Sequence, residues 1–243
     1  MRVAILILLA LVACSFADVR AATNDSFAEG VAAYRTGQFA EAAQAFETAV
    51  AVRPAAGTFV NLGLADWQRG HAGSAIVAWE QALWVDPFNK SAADDLRFAR
   101  SVTQLDEPQL RWFEILSCWL PPAAWLWIAG ASLWLAVGML LLPAVFRRPK
   151  AGWHQTLVAC GLCVFLFSLA GNWGVISRTH LGFVLKDNAP LLLTPTSAGE
   201  VISTLTSGEP ARELRRHGNY SLIRTDSETG WIDRQQFGLV SGK

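Results

Sequence analysis

Residues 30–54 read GVAAYRTGQFAEAAQAFETAVAVRP, and residues 63–87 read GLADWQRGHAGSAIVAWEQALWVDP. At an offset of 33 residues, Gly30, Gly37, Ala42, Phe46, Ala49 and Pro54 fall on Gly63, Gly70, Ala75, Trp79, Ala82 and Pro87. A repeat of this period marks stacked supersecondary units. Each copy carries apolar residues at helical spacing and ends on a proline, which predicts two amphipathic helices per unit. The small residues have a steric role. Gly30/Gly63 and Ala42/Ala75 let paired helices approach closely, Ala49/Ala82 make room for the neighbouring unit, and Phe46/Trp79 fill the space between helices. Asn89 to Val102 reads as a further helix, with Ala92, Ala93, Leu96 and Ala99 on one face, and Asp106-Glu107-Pro108 breaks it.

In order and spacing this repeat resembles the tetratricopeptide repeat over about residues 24–88. It departs from the family in a period one residue short and in having two full units, with Asn89–Val102 as a cap helix. The resemblance implies a concave groove lined by the first helix of each unit: Phe27, Val31 and Tyr34, then Val60, Leu64 and Trp67. Those six residues are either partner-binding or plain core.

The N-terminus predicts export. Met1-Arg2 precedes the uncharged apolar run Val3–Val12, too short to span a bilayer but suited to a signal-peptide core. Cleavage after Ala17 or Ala21 gives a signal peptide over about 1–22. Leu11-Val12-Ala13-Cys14 resembles a lipobox, which would instead leave a lipidated Cys14. The repeat domain then runs over 23–106.

Beyond Pro108 the composition changes. Mean hydropathy over the whole chain is +0.29. From Cys118 to Leu185 the only charged residues are Arg147, Arg148, Lys150 and Arg178. Residues 110–119 read as an interfacial helix. Two apolar stretches, 120–146 and 153–177, are each long enough to cross hydrocarbon. Trp119, Trp125, Trp153 and Trp173 lie towards their ends, where indoles suit the membrane interface. The basic cluster in the loop 147–152 predicts that this loop is cytoplasmic and that both flanking regions are periplasmic. The expected location is the bacterial inner membrane.

The last sixty or so residues read as short strands broken by turns: Phe183–Leu185, Leu191–Leu193, Arg212–Arg216, Tyr220–Arg224 and Gly230–Ile232. Such a pattern predicts a small β-barrel over 179–243. Ala189-Pro190-Leu191, Ser197 to Ile202, Leu205, Gly208-Glu209, Gly218-Asn219-Tyr220 with Ile223-Arg224, and Gly230-Trp231-Ile232 together resemble bacterial SH3-like domains over 182–237. Tyr220 and Trp231 are either an aromatic platform for an extended peptide or cell-wall strand, or core packing.

The fold class expected is therefore multidomain: α-helical tetratricopeptide repeats of two units plus a cap, two transmembrane α-helices and an SH3-like barrel. In module order the chain resembles the BatE-type proteins of the bacterial Bat (aerotolerance-operon) family. The resemblance implies a share in an envelope assembly with other Bat-operon membrane proteins, but names no reaction.

Chemistry-bearing motifs are sparse. Net formal charge is zero, which argues against a nucleic-acid partner, since a polyanion needs a basic face. Cys160-Gly161-Leu162-Cys163 has CxxC spacing, but an intramembrane thiolate is disfavoured. These small thiols are read as helix-packing residues. Cys118 shows no partner at its depth. No phosphate-binding GxxxxGK[ST] occurs, and His71, His154, His180 and His217 belong to four separate regions. Arg212, Arg215 and Arg216 form a basic run, read as a solvated strand rather than an anion site. The chain is expected to be no enzyme and to use no cofactor or metal. It is expected to act as a membrane-tethered scaffold for protein partners. The alternative is a cell-wall accessory whose SH3-like domain contacts peptidoglycan.

Overall fold

The computed structural model describes residues 25–145 and 152–242. The expected signal peptide with Cys14, and the basic cluster Arg147–Lys150, lie outside the described residues. The chain forms two compact units. Among the described residues, one comprises those up to Glu107 together with those from Gly182 onward, and the other those within Pro108–Leu181.

In the first unit, helix α1 (25–35) pairs with α2 (Phe39–Val52), and α3 (Ala56–Gln68) pairs with α4 (Ala72–Val85), followed by α5 (Lys90–Thr103). The repeat thus appears as two helix pairs in register. Gly37 and Gly70 make the turns within the pairs at φ of 79° and 78°, which suits a residue without a Cβ. Arg53 and Asp86 precede Pro54 and Pro87, are forced extended, and end α2 and α4. The repeat glycines lie under aromatic rings: a Cβ on Gly30 would stand 2.6 Å from the Phe46 ring, and one on Gly63 2.5 Å from the Trp79 indole. The Trp79 Nε1–H donates to the Val60 carbonyl at 3.3 Å, so the buried indole is also satisfied. Asn89 caps α5 by accepting from the Ala92 N–H at 3.0 Å.

The C-terminal strands are β1 (Leu181–Val184), β2 (Ala189–Leu192), β3 (Val201–Leu205), β4 (Pro210–His217), β5 (Tyr220–Arg224), β6 (Thr229–Asp233) and β7 (Phe237–Leu239). They make one sheet in the order β3-β2-β6-β5-β4-β1-β7 over a core that includes Val184, Leu191, Ile223, Ile232 and Phe237. The expected closed β-barrel is corrected here to an open, antiparallel seven-stranded sheet. Closure would need β7 to meet β3. Yet β7 is three residues long and lies against α4, where Gln81 Nε2 donates to the Leu239 carbonyl at 2.9 Å. Val77 stands where a Cβ on Gly238 would come within 3.1 Å. Covering an edge with a helix also blocks strand addition there.

A second join lies at the start of α4. The Gly73 N–H donates to Ser207 Oγ at 2.8 Å, while Ser207 Oγ donates to the Leu185 carbonyl at 3.2 Å and the Ser207 N–H donates to Asp187 Oδ1 at 2.9 Å. Nearby, Gly208 at φ 87° fits against Ile76 and Leu105. The repeats and the sheet are therefore two parts of one packed body.

In the second unit, α6 (Trp112–Ser117), α7 (Pro122–Val145) and α8 (Gly152–Arg178) pack through small residues. Gly161 faces Ala136 and the Ser132 carbonyl, Gly171 receives the Trp125 indole, and Gly174 meets the Phe113 carbonyl. Polar groups point inward: Asn172 Nδ2 donates to the carbonyls of Trp125 and Ser168 at 3.1 and 2.9 Å. Large apolar side chains point outward, with Trp127 78% and Trp134 75% exposed. Both α7 and α8 are long and apolar enough to cross a membrane.

Two expectations change in this unit. Trp125 is 2% exposed, buried between helices with its Nε1–H on the Ser117 carbonyl, rather than at an interface. Cys160 and Cys163 face outward, so they are not packing residues. Position 161 carries that contact, where a Cβ would stand 3.1 Å from both Ala136 Cβ and the Ser132 carbonyl oxygen.

Candidate functional site

The six residues expected in the repeat groove are placed as follows. Phe27, Val31 and Tyr34 are half-buried against the cluster of Ala33, Ala42, Phe46 and Leu62. Phe27 tilts against Phe46 with ring centres 5.7 Å apart, and Tyr34 meets Phe39 edge-on at 5.3 Å. Val60 is buried and Leu64 half-buried. Trp67 stands between Trp79 at 6.0 Å and Phe98 at 5.8 Å, and Phe98 is itself 56% exposed. Packing occupies part of every one of these side chains; all but Val60 also reach solvent, and Phe98 beside Trp67 is more open still.

Charge is also organised within the repeats. Asp66 is almost fully buried, with Arg69 Nη1 donating to its Oδ1 at 2.8 Å. Burial pushes its carboxyl above the ordinary range, and the Arg69 charge only partly opposes this. Asp66 is thus a structural group of the α3–α4 turn.

In the sheet, Trp231 pairs in register with Leu222 and Leu192, and Tyr220 with Asp233. Both aromatics are half-buried. Residues two apart along antiparallel strands share a face, so Tyr220 and Trp231 are diagonal neighbours. The ring that meets Trp231 is His217, edge-on at 6.3 Å. Compared with protein-family models and with curated proteins, the chain matches none.

The feature that sequence reading missed is a polar cavity of about 540 Å3 bounded by the sheet, the 3-10 turn Arg234–Gln236 and Gln81 of α4. Its floor is a buried carboxylate. Arg216 donates from Nε to both Glu213 oxygens at 2.8 and 2.9 Å, and Ser221 Oγ donates to Oε1 at 2.6 Å. Burial alone would raise the Glu213 pKa. The hydrogen bonds from Arg216 and Ser221, with the charges of Arg216 and Arg234, outweigh it and hold the carboxyl below its usual range. Of the three arginines expected on a solvated strand, Arg216 is therefore a fixed partner of Glu213. The signal was present as Glu213-x-x-Arg216, but a β-bulge between Glu213 and Arg215 is needed to bring both to one side.

Among the described residues, no three His, Cys, Asp or Glu side chains are grouped to hold a metal ion. Cys118 Sγ lies 3.3 Å from the Glu114 carbonyl, its own helix neighbour.

Proposed function

We propose that the chain is a membrane-tethered binding scaffold, in which tetratricopeptide-type repeats and an SH3-like sheet take protein partners in the periplasm, within a bacterial envelope assembly of the Bat type. One observation carries this reading: the segments before and after the apolar hairpin pack into a single body. A two-span hairpin returns the chain to the side it left, so packed flanks require no further crossing. The basic loop between the spans then belongs on the cytoplasmic side. Tethering that body to the bilayer raises its effective concentration for membrane partners. The exposed Phe98 beside Trp67 supplies an aromatic anchor of the kind that dominates interfaces.

The test is photo-crosslinking in living cells from a benzophenone amino acid at Phe98, with Gln68 as a second position. The expected result is a small set of crosslinked envelope proteins that disappears when Trp67 is replaced by alanine in a chain that still folds. A correctly inserted chain that captures no protein from either position would overturn the reading.

A further inference from the structure

We propose that the cavity beside Arg234 is a binding site for the free carboxylate end of a short peptide, with Arg234 as its anchor. The site is separate from the repeat groove and does not depend on what that groove binds.

The volume, about 540 Å3, lies in the range of small-ligand sites. Its wall is mostly polar, with Glu213 and Ser221 buried at its base and Asn219, Arg234 and Gln235 exposed at its mouth. What remains unspent in the wall decides the ligand. Glu213 is saturated by Arg216 and Ser221, and its charge is matched by Arg216. Asp233 Oδ1 accepts from the Gln235 N–H at 2.9 Å, capping the short helix. Arg234 differs. Its backbone N–H is fixed to the Asn219 carbonyl at 2.9 Å, whereas its exposed guanidinium has no hydrogen-bond partner among the described residues and acts on Glu213 through its charge alone. The side-chain amides of Asn219 and Gln235 are uncommitted in the same sense.

The groups without a hydrogen-bond partner are thus one guanidinium and two amides, beside the Asp233 carboxylate, whose charge the capping N–H does not cancel. A guanidinium matches a planar carboxylate with two parallel hydrogen bonds. Side-chain amides offer both a donor and an acceptor, which matches the peptide group next to a terminal carboxylate. Gln81 comes from α4, so the site is complete only when repeats and sheet are packed together.

The experiment titrates the full chain in lipid nanodiscs with acetyl-Ala-Ala acid and with its C-terminal amide, by calorimetry. The L,L and D,D acids distinguish a protein terminus from a cell-wall stem peptide, and saturable binding of either supports the site. The amide, and the acid against Arg234→Gln, should each bind about tenfold more weakly, the equivalent of about 1.4 kcal/mol. Absence of saturable binding by both acids at millimolar concentration would overturn the proposal. So would equal binding of acid and amide, a comparison that needs no substitution. Undiminished affinity in a folded Arg234→Gln chain would remove Arg234 as the anchor.

Discussion

The Gly73 N–H and Ser207 Oγ, 134 positions apart in the chain, meet at 2.8 Å where the start of α4 touches the sheet. A Cβ at position 73 would lie 2.3 Å from the Val184 carbonyl oxygen, a contact with backbone that no rotamer can relieve. Gly73→Ala should therefore push repeats and sheet apart, with an overpacking cost of about 1–3 kcal/mol. The unmodified first unit should melt in one transition, and the variant at lower temperature or in two. Scanning calorimetry of both decides it, and an unchanged thermogram would show that the join contributes nothing.

Glu213 gives a pH signature. Its folded pKa lies below the ordinary value of 4.5, so the ionised carboxylate stabilises the fold above that value. This contribution is lost as pH falls through the depressed folded pKa. Glu213→Gln should be less stable than the parent at pH 7, with the gap narrowing in acid. Denaturant midpoints between pH 7 and pH 3 would measure it, and a gap that widened in acid would contradict the sign. Asp66 acts oppositely, since its raised pKa adds stability on protonation, so only the difference between the two proteins isolates Glu213.

Trp67 touches Trp79 and Phe98 on two sides. Trp67→Ala should lower stability by about 3 kcal/mol through the cavity it leaves. Phe98→Ala, at an exposed position, should change stability by under about 0.5 kcal/mol yet weaken partner capture. Urea melts beside the crosslinking assay separate these effects.

Cys160 and Cys163 face away from α7, and Gly161 between them carries the contact. The double substitution Cys160→Ser, Cys163→Ser should leave insertion and partner capture unchanged, while Gly161→Val should splay the hairpin. Resistance of the hairpin to SDS-induced unfolding reads both. Loss of capture in the normally inserted serine pair would give the thiols a role.

Sidedness can be read with single cysteines in a chain otherwise free of them. Ser207 is a poor probe, being buried and bonded to Gly73, Leu185 and Asp187. Ser197 is exposed. Cysteine at 197 should react with a membrane-impermeant maleimide in spheroplasts, and cysteine at 151 should not. The reverse pattern would invert the topology.

The helices were legible because their information is local. Gly30 with Phe46 and Gly63 with Trp79 lie 16 residues apart and repeat, so each copy supports the reading of the other. The apolar stretches were legible from composition alone. Strands β3 and β7 were not identified, for Val201–Leu205 and Phe237–Leu239 are short and acquire their roles only by pairing with β2 and β1. Trp125 misled because an indole near a span's end suits an interface. Its burial depends on Gly171, one glycine among several in α8. The cavity was invisible for the same reason as the Gly73 contact: Gln81 and Arg234 carry no mark that they will meet.

Because the hairpin interrupts the first unit, synthesis runs in an order the finished body does not reveal. The ribosome completes all five repeat helices, then some seventy residues of hairpin, before the first strand exists. Ile76 and Val77, buried in the finished protein, have no sheet to cover them until residues 208–238 have been made. A nascent or truncated chain thus displays an apolar strip on α4 that the mature one hides, and that strip marks an unfinished molecule for the chaperones and proteases of its compartment.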